Sequence, residues 1–205
     1  METCEQSFVI GCLQYGAAAG RLYRNKMKGM GFRMSFERIT DLPREELIEL
    51  VSIYAKNWLA HDGLWFQSIE SKHGMDEAME HDINAFSRFT VIEARRIKSF
   101  LDLPERAGID GLRTALRFRL YAPLNQDEIA VEGNTLTYRV VSCRVQSARK
   151  RKGMEYHPCK AVGIPEYSEF AKTIDDRFET RCVSCYPDLT DMSCACIWRF
   201  SLQDI

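Results

Sequence analysis

The residues of this chain best suited to chemistry fall into three groups, and their spacing says what chemistry each could do. The first is acidic. Take Met79 as zero at about 100° per residue: Ile83 then falls at about 40°, Phe86 at about 340°, Ile97 at about 0° and Glu93 at about 320°. Glu93 therefore sits inside an apolar helical stripe, where a carboxylate must be paired, protonated or bound, since burying it bare costs several kcal/mol. Arg95, Arg96, Arg113 and Arg117 are candidate partners, and a salt bridge to one of them is the plain structural reading. The second group is His61-Asp62. With Leu47 as zero, Trp58 lies at about 20°, His61 at about 320°, Asp62 at about 60° and Trp65 at about 0°. Two such helices packed face to face would bring His61, Asp62, Trp65 and Glu93 to one polar spot in an aromatic pocket, the usual build of a small-molecule site. There Glu93 or His61 would act as general base, and the histidine with its carboxylates could also hold a metal.

The third group is thiol. Of eight cysteines, six follow residue 142, and Cys182-Val183-Ser184-Cys185 with Cys194-Ala195-Cys196 makes a C-x2-C…C-x-C pattern. Soft thiolates at this spacing suit tetrahedral zinc, so zinc is the expected cofactor and Cys182, Cys185, Cys194 and Cys196 its expected ligands. Free thiols in a terminal hairpin are the equally weighted alternative. Strand alternation puts Cys194 and Cys196 on one face but separates Cys182 from Cys185 unless a turn intervenes. Cys143 and Cys159 could join such a site, with His157 two residues before the latter. A cysteine could also serve as a nucleophile.

The densest positive run, Arg149-Lys150-Arg151-Lys152 with Arg144 before it, reads as a solvated turn at a strand end. With 28 basic and 29 acidic residues the net charge is −1, which argues against nucleic acid as the partner. The better functional reading is an anionic small ligand whose carboxylate Gln146 and Arg149 orient. Asp62, Trp65, Arg96, Gln146 and Arg149 are thus the expected ligand-binding residues. A homodimer is compatible with the composition.

The elements that must position these residues follow from period and punctuation. Residues 1–40 hold five glycines and no clear period, and are expected to be a loosely structured lead-in. Asp41-Leu42-Pro43 starts a helix whose apolar face is Leu47, Val51, Tyr54 and Trp58, running toward Gly74. Asp76 opens a longer helix, with Phe100 on the same stripe as Met79, ended by Pro104 and Gly108; a short helix over about 111–120 follows. After residue 125 the period becomes two. Glu128–Glu132 and Thr135–Val145 flank a Gly133-Asn134 hairpin turn, His157-Pro158 starts a further helix broken near Pro165, and Glu179–Cys185 and Cys196–Leu202 are two more strands. Helices first and an antiparallel sheet of about four strands afterwards, with no βαβ alternation, define an α+β fold over residues 41–205.

No run approaches the roughly 20 apolar residues that cross a bilayer. Glu2 and Glu5 stand where an export signal needs positive charge, and Val9–Cys12 lacks the basic lead of a lipobox. A cytoplasmic protein with reduced thiols and no membrane association is expected.

Six segments, KNWLAHDGLWF (56–66), IEARRIK (92–98), CRVQSARKRKG (143–153), HPCKAVG (157–163), FAKTIDDRFETRCVSCYPD (170–188) and CIWRF (196–200), carry a family resemblance. Over residues 41–202 the chain resembles bacterial cytosolic proteins related to the L-2-amino-thiazoline-4-carboxylic acid hydrolase-like group. Its ending also looks like the 4-vinyl-reductase ligand-binding domain. The resemblance implies a small-molecule pocket between helices and an antiparallel sheet. Three functions are expected in turn: a ligand-binding domain, a hydrolase of a small cyclic or carbamoyl amino-acid-like substrate, or a structural module.

Overall fold

A computed structural model gives the fold and describes residues 37–203. The lead-in expected over residues 1–40 and the Val9–Cys12 segment therefore lie almost wholly outside the described residues. The chain divides into two units between Tyr54 and Ala55.

A 3-10 turn, Ile39–Asp41, leads to α1, Arg44–His73, which starts just after Pro43. Glu45 and Glu46 occupy its first turn and Lys72 and His73 its last, so both ends suit the helix dipole. The stripe expected to be a core face is not one in the first unit, where Leu47, Val51 and Tyr54 are exposed. Gly74, at φ 92°, separates α1 from α2, Met75–Phe100, by a single residue in a conformation that side-chain-bearing residues avoid. Met79 and Ile97 are buried as expected, but Phe100 at the last turn is exposed and packs on Phe118. The short helix α3 spans Gly108–Leu116.

Strands β1, Gln126–Glu132, and β2, Thr135–Ser142, form the expected hairpin, with Gly133 at φ 55° in its two-residue turn. The strand ends sooner than alternation predicts, because Arg144–Arg151 is a helix, α4. The basic run is thus the end of a helix, where positive charge opposes the carbonyl pole, and not a strand-end turn. Helix α5, Lys160–Ile174, runs unbroken through Pro165. Strands β3, Phe178–Cys185, and β4, Cys196–Leu202, complete one antiparallel sheet in the order β1-β2-β4-β3. Among the described residues, five α-helices, mostly N-terminal, and this C-terminal sheet make the fold α+β.

Helix α5 lies against α2 and β3, and the core fills the space between helices and sheet with Leu112, Leu116, Phe170, Ile174, Phe178 and Phe200. Gly163 is what lets α5 approach the sheet closely: a Cβ there would stand 2.5 Å from the Trp198 ring. On the outer strand a bulge between Cys182 and Ser184 resets the alternation. Cys182 opposes Trp198 and Cys185 opposes Cys196, so these two cysteines share a face after all.

Candidate functional site

Between the helices and the sheet of the second unit lies a cavity of about 450 Å³. Its apolar wall includes Trp58 and Phe66 from α1, Phe86 from α2, Tyr121 before the sheet, Tyr167 from α5 and Trp198 from β4. The rings brace one another: Trp58 stacks on Phe89 at 5.3 Å and Tyr167 on Trp198 at 4.6 Å. Among the side chains with acid–base or donor capacity that also line it are Asp62, Asp82, Arg149, His157, Cys159 and Glu166. At its exposed rim stand Lys56, Arg144, Arg151 and Lys152.

Two polar clusters border this space. The deeper one is built on Arg119, a buried cation held between two carboxylates. Its Nε donates to Glu93 Oε2 at 3.0 Å, and its terminal nitrogens lie 3.0 Å from Glu93 and 2.8 Å from Glu166. Those terminal nitrogens meet the carboxylates at ion-pair distance but outside hydrogen-bond angles. The guanidinium carbon sits 4.7 Å from the Phe170 ring centroid, 4.8 Å from that of Tyr121 and 5.3 Å from that of Tyr167, a cation–π cradle. Glu93 Oε1 accepts the Leu120 amide at 2.7 Å, and Tyr121 donates its hydroxyl to Glu166. Burial works against the charge on Arg119, but Tyr121, Glu166 and Glu93 hold it protonated. Burial pushes the Glu166 carboxyl up, with Arg119 opposing, and pushes the Tyr121 hydroxyl up as well.

The second cluster lies nearer the open side. His157 places Nε2 3.3 Å from Asp82 Oδ2 and Nδ1 3.2 Å from Cys159 Sγ. Gln146 holds this turn at three points. It donates to the His157 carbonyl at 2.7 Å and to Cys159 Sγ at 3.1 Å, and accepts the His157 amide at 3.0 Å. Phe66 packs on the imidazole at 4.7 Å. Asp62 shares the neighbourhood, its carboxyl pushed up to about 6 by burial first and the Asp82 charge second, with His157 opposing. Hydrogen bonding to Cys159 raises the Cys185 thiol, and hydrogen bonding to Cys185 raises Cys196.

These positions sort the residues singled out by sequence. Asp62 lines the cavity, as expected. His61 is exposed and outside the wall, and Trp65 is 68% exposed. Glu93 is 7% exposed, and its salt bridge is to Arg119 rather than to any of the four arginines proposed. The convergence of His61, Asp62, Trp65 and Glu93 is therefore not formed, because the His61 and Trp65 side of α1 faces solvent. Arg96 is exposed and apart from the cavity. Gln146 spends its amide on the 157–159 turn. Arg149 reaches the wall but is closed off by a bidentate pair with Glu70, at 2.8 and 2.7 Å, and by the Glu155 carbonyl. The carboxylate clamp expected from Gln146 and Arg149 is thus already occupied by protein groups. Among the described residues no group of three or more His, Cys, Asp or Glu side chains is arranged to hold a metal, so Cys182, Cys185, Cys194 and Cys196 do not form the expected zinc clip. No helix among them is long and apolar enough to cross a membrane.

Sequence reasoning missed Arg119, Asp82 and Glu166. Asp82 carried a signal: on the wheel that singled out Glu93 it lies at about 300°, about 20° away. Arg119 falls inside the helix expected over about 111–120, which in the structure ends at Leu116 and leaves it in an irregular segment.

Fold and site together define an α+β domain enclosing an aromatic cavity with an acid–imidazole–thiol wall. The chain belongs to a family of unknown function (DUF6125), whose sequence profile matches residues 40–202. No curated protein matches it. The link to the thiazoline-carboxylate hydrolase-like and 4-vinyl-reductase groups is not shown; the family match alone is.

Proposed function

We propose that the chain binds one small molecule in the cavity between helices and sheet. The observation that carries this reading is the partly open cavity of about 450 Å³, with aromatic walls and a few convergent polar groups, which is how small-molecule sites are built. Its chemistry favours a ligand other than the simple anion expected from sequence. Asp62 and Asp82 give the wall two carboxylates outside the Arg119 cluster, Arg149 on that wall is paired with Glu70, and the other arginine and lysine side chains are at the rim. An amino-acid-like molecule fits that polarity, with its cationic or N–H end toward Asp62 and Asp82 and its carboxylate toward Lys56, Arg144, Arg151 and Lys152. A second reading, hydrolysis of a small cyclic or carbamoyl amino-acid-like substrate, draws on the sequence resemblance and on the thiol of Cys159 at the wall.

The test uses 1-anilinonaphthalene-8-sulfonate, an apolar fluorescent probe of suitable size, with the full chain. Saturable binding of one probe per chain is expected, and Ala148→Trp, which fills the cavity from α4, abolishes it. Binding of equal strength and stoichiometry in that variant would remove the cavity as the site.

A further inference from the structure

We propose that Cys159 is a nucleophile for acyl transfer, with His157 as its general base and Asp82 as the residue that positions the imidazole; this rests on the cavity being a small-molecule site. Three facts of geometry carry it. The thiol, the imidazole and the carboxylate stand in line, 3.2 Å and then 3.3 Å apart, and all three line the cavity. The two ring nitrogens have different neighbours: Asp82 beside Nε2 favours its N–H, leaving Nδ1 with a lone pair toward the sulfur. The turn is also rigid, since Gln146 grips the His157 backbone on both sides, and Cys159 is the N-cap of the 15-residue α5, where the helix presents positive potential. A histidine kept for packing alone has no need of a partly exposed thiol on one nitrogen and a carboxylate on the other.

The substrate class is a small amide or a comparable acyl compound. The thiol proton passes to Nδ1 as Sγ bonds to the carbonyl carbon. The carbon–nitrogen bond then breaks, the amine leaves with the proton from Nδ1, and a thioester remains. Water attacks that carbon, giving a proton to Nδ1; the carbon–sulfur bond breaks and the sulfur recovers the proton. Amide and water become acid and amine, and Cys159 is regenerated. Gln146, donating to Sγ, is a second positioning residue.

The full chain is treated with iodoacetamide, and each modified cysteine is located by peptide mass. Cys159 is expected to react about tenfold or more faster than Cys182, a thiol of similar partial exposure, and His157→Gln lowers that rate about tenfold. Asp82→Asn shifts the pH profile of the rate, which a merely structural carboxylate would not do. With 4-nitrophenyl acetate, the wild type releases a burst of about one nitrophenolate per chain and gains one acetyl group at Cys159; Cys159→Ser does neither. Equal alkylation of Cys159 and Cys182 in the wild type, or no acetyl group at Cys159, overturns the assignment, and neither measurement depends on a variant folding. Retention of the anilinonaphthalene probe in that case leaves the cavity reading intact. An acetylated Cys159 together with failed probe binding would sink the cavity reading and with it the substrate class, and would leave only the reactivity of the thiol.

Discussion

Two polar clusters border the same cavity and differ in how completely they are closed. Around Arg119 the cation has two carboxylates and three aromatic rings, and Glu93 accepts a backbone amide with its other oxygen. Around His157 the contacts run through the partly exposed Cys159 thiol, which also meets Gln146 and Cys185 but lines the cavity. A buried network whose charges are paired within the protein specifies packing, because each member is costly without the others. A network that ends at a cavity keeps one group for something else. The position of a titratable residue beside a cavity is therefore weaker evidence for function than the state of its bonds.

The largest effect expected is on stability, at the closed cluster. Arg119→Met leaves Glu93 and Glu166 buried without their cation and is expected to cost about 3–5 kcal/mol by urea denaturation. Glu93→Gln, which keeps the shape but removes a charge, costs less, about 1–3 kcal/mol. His157→Gln is expected to cost about 1 kcal/mol or less, since the amide can still hydrogen-bond Asp82 and the site opens on the cavity. A larger loss for His157→Gln than for Arg119→Met would erase the distinction between the clusters.

Between the two stands the pair of Arg149 and Glu70. Glu70→Gln strands a buried guanidinium at the cavity wall and is expected to cost about 2 kcal/mol. Hydrogen bonding to Arg149 holds the Glu70 carboxyl below its ordinary value of 4.5. The stability it contributes is present above that ordinary value and lost as pH falls through the depressed one. Wild type and Glu70→Gln should therefore converge in acid, and a constant gap from pH 3 to pH 7 would show that the charge is not what matters.

The contrast between the clusters also explains what the sequence reveals. Periodicity locates α1, α2, β3 and β4 to within a few residues, because each is a long run with one repeating apolar face. The same arithmetic finds Glu93 as anomalous but not its partner, since the short helix expected over about 111–120 ends at Leu116 and leaves Arg119 in the irregular segment before β1. Helix α4 is hidden for another reason: Arg144–Arg151 is almost wholly polar, so the alternation of β2 runs on into it. Cys159 and His157 are visible as neighbours in sequence, but Asp82 comes from 75 residues earlier (157 − 82), and only the packing of α2 beside the turn joins them. The cysteine pattern is counted along the strand, whereas the bulge in β3 sets which thiols share a face and Cys159, before α5, is a thiol that Cys185 meets.

The smallest effect concerns Asp62, the one sequence-predicted acid that does line the open cavity. Its carboxyl is pushed up from 3.8 to about 6, so between those values the folded chain holds a proton that the unfolded chain releases. Stability must then fall as pH rises from about 4 to about 6 and stay level above that. A shift of two units corresponds to about 3 kcal/mol at full value, but Asp62 is partly solvated, and about 1 kcal/mol is the realistic expectation. Asp62→Asn should match wild type at pH 4 and exceed it by about 1 kcal/mol at pH 7.5. A cationic or N–H-bearing molecule in the cavity would cancel the difference by supplying the charge partner that the wall lacks, whereas the closed Arg119 cluster offers no such opening. Identical pH profiles for Asp62→Asn and wild type would mean that Asp62 is fully hydrated, and the acidic side of the cavity would then be a surface and not a binding wall.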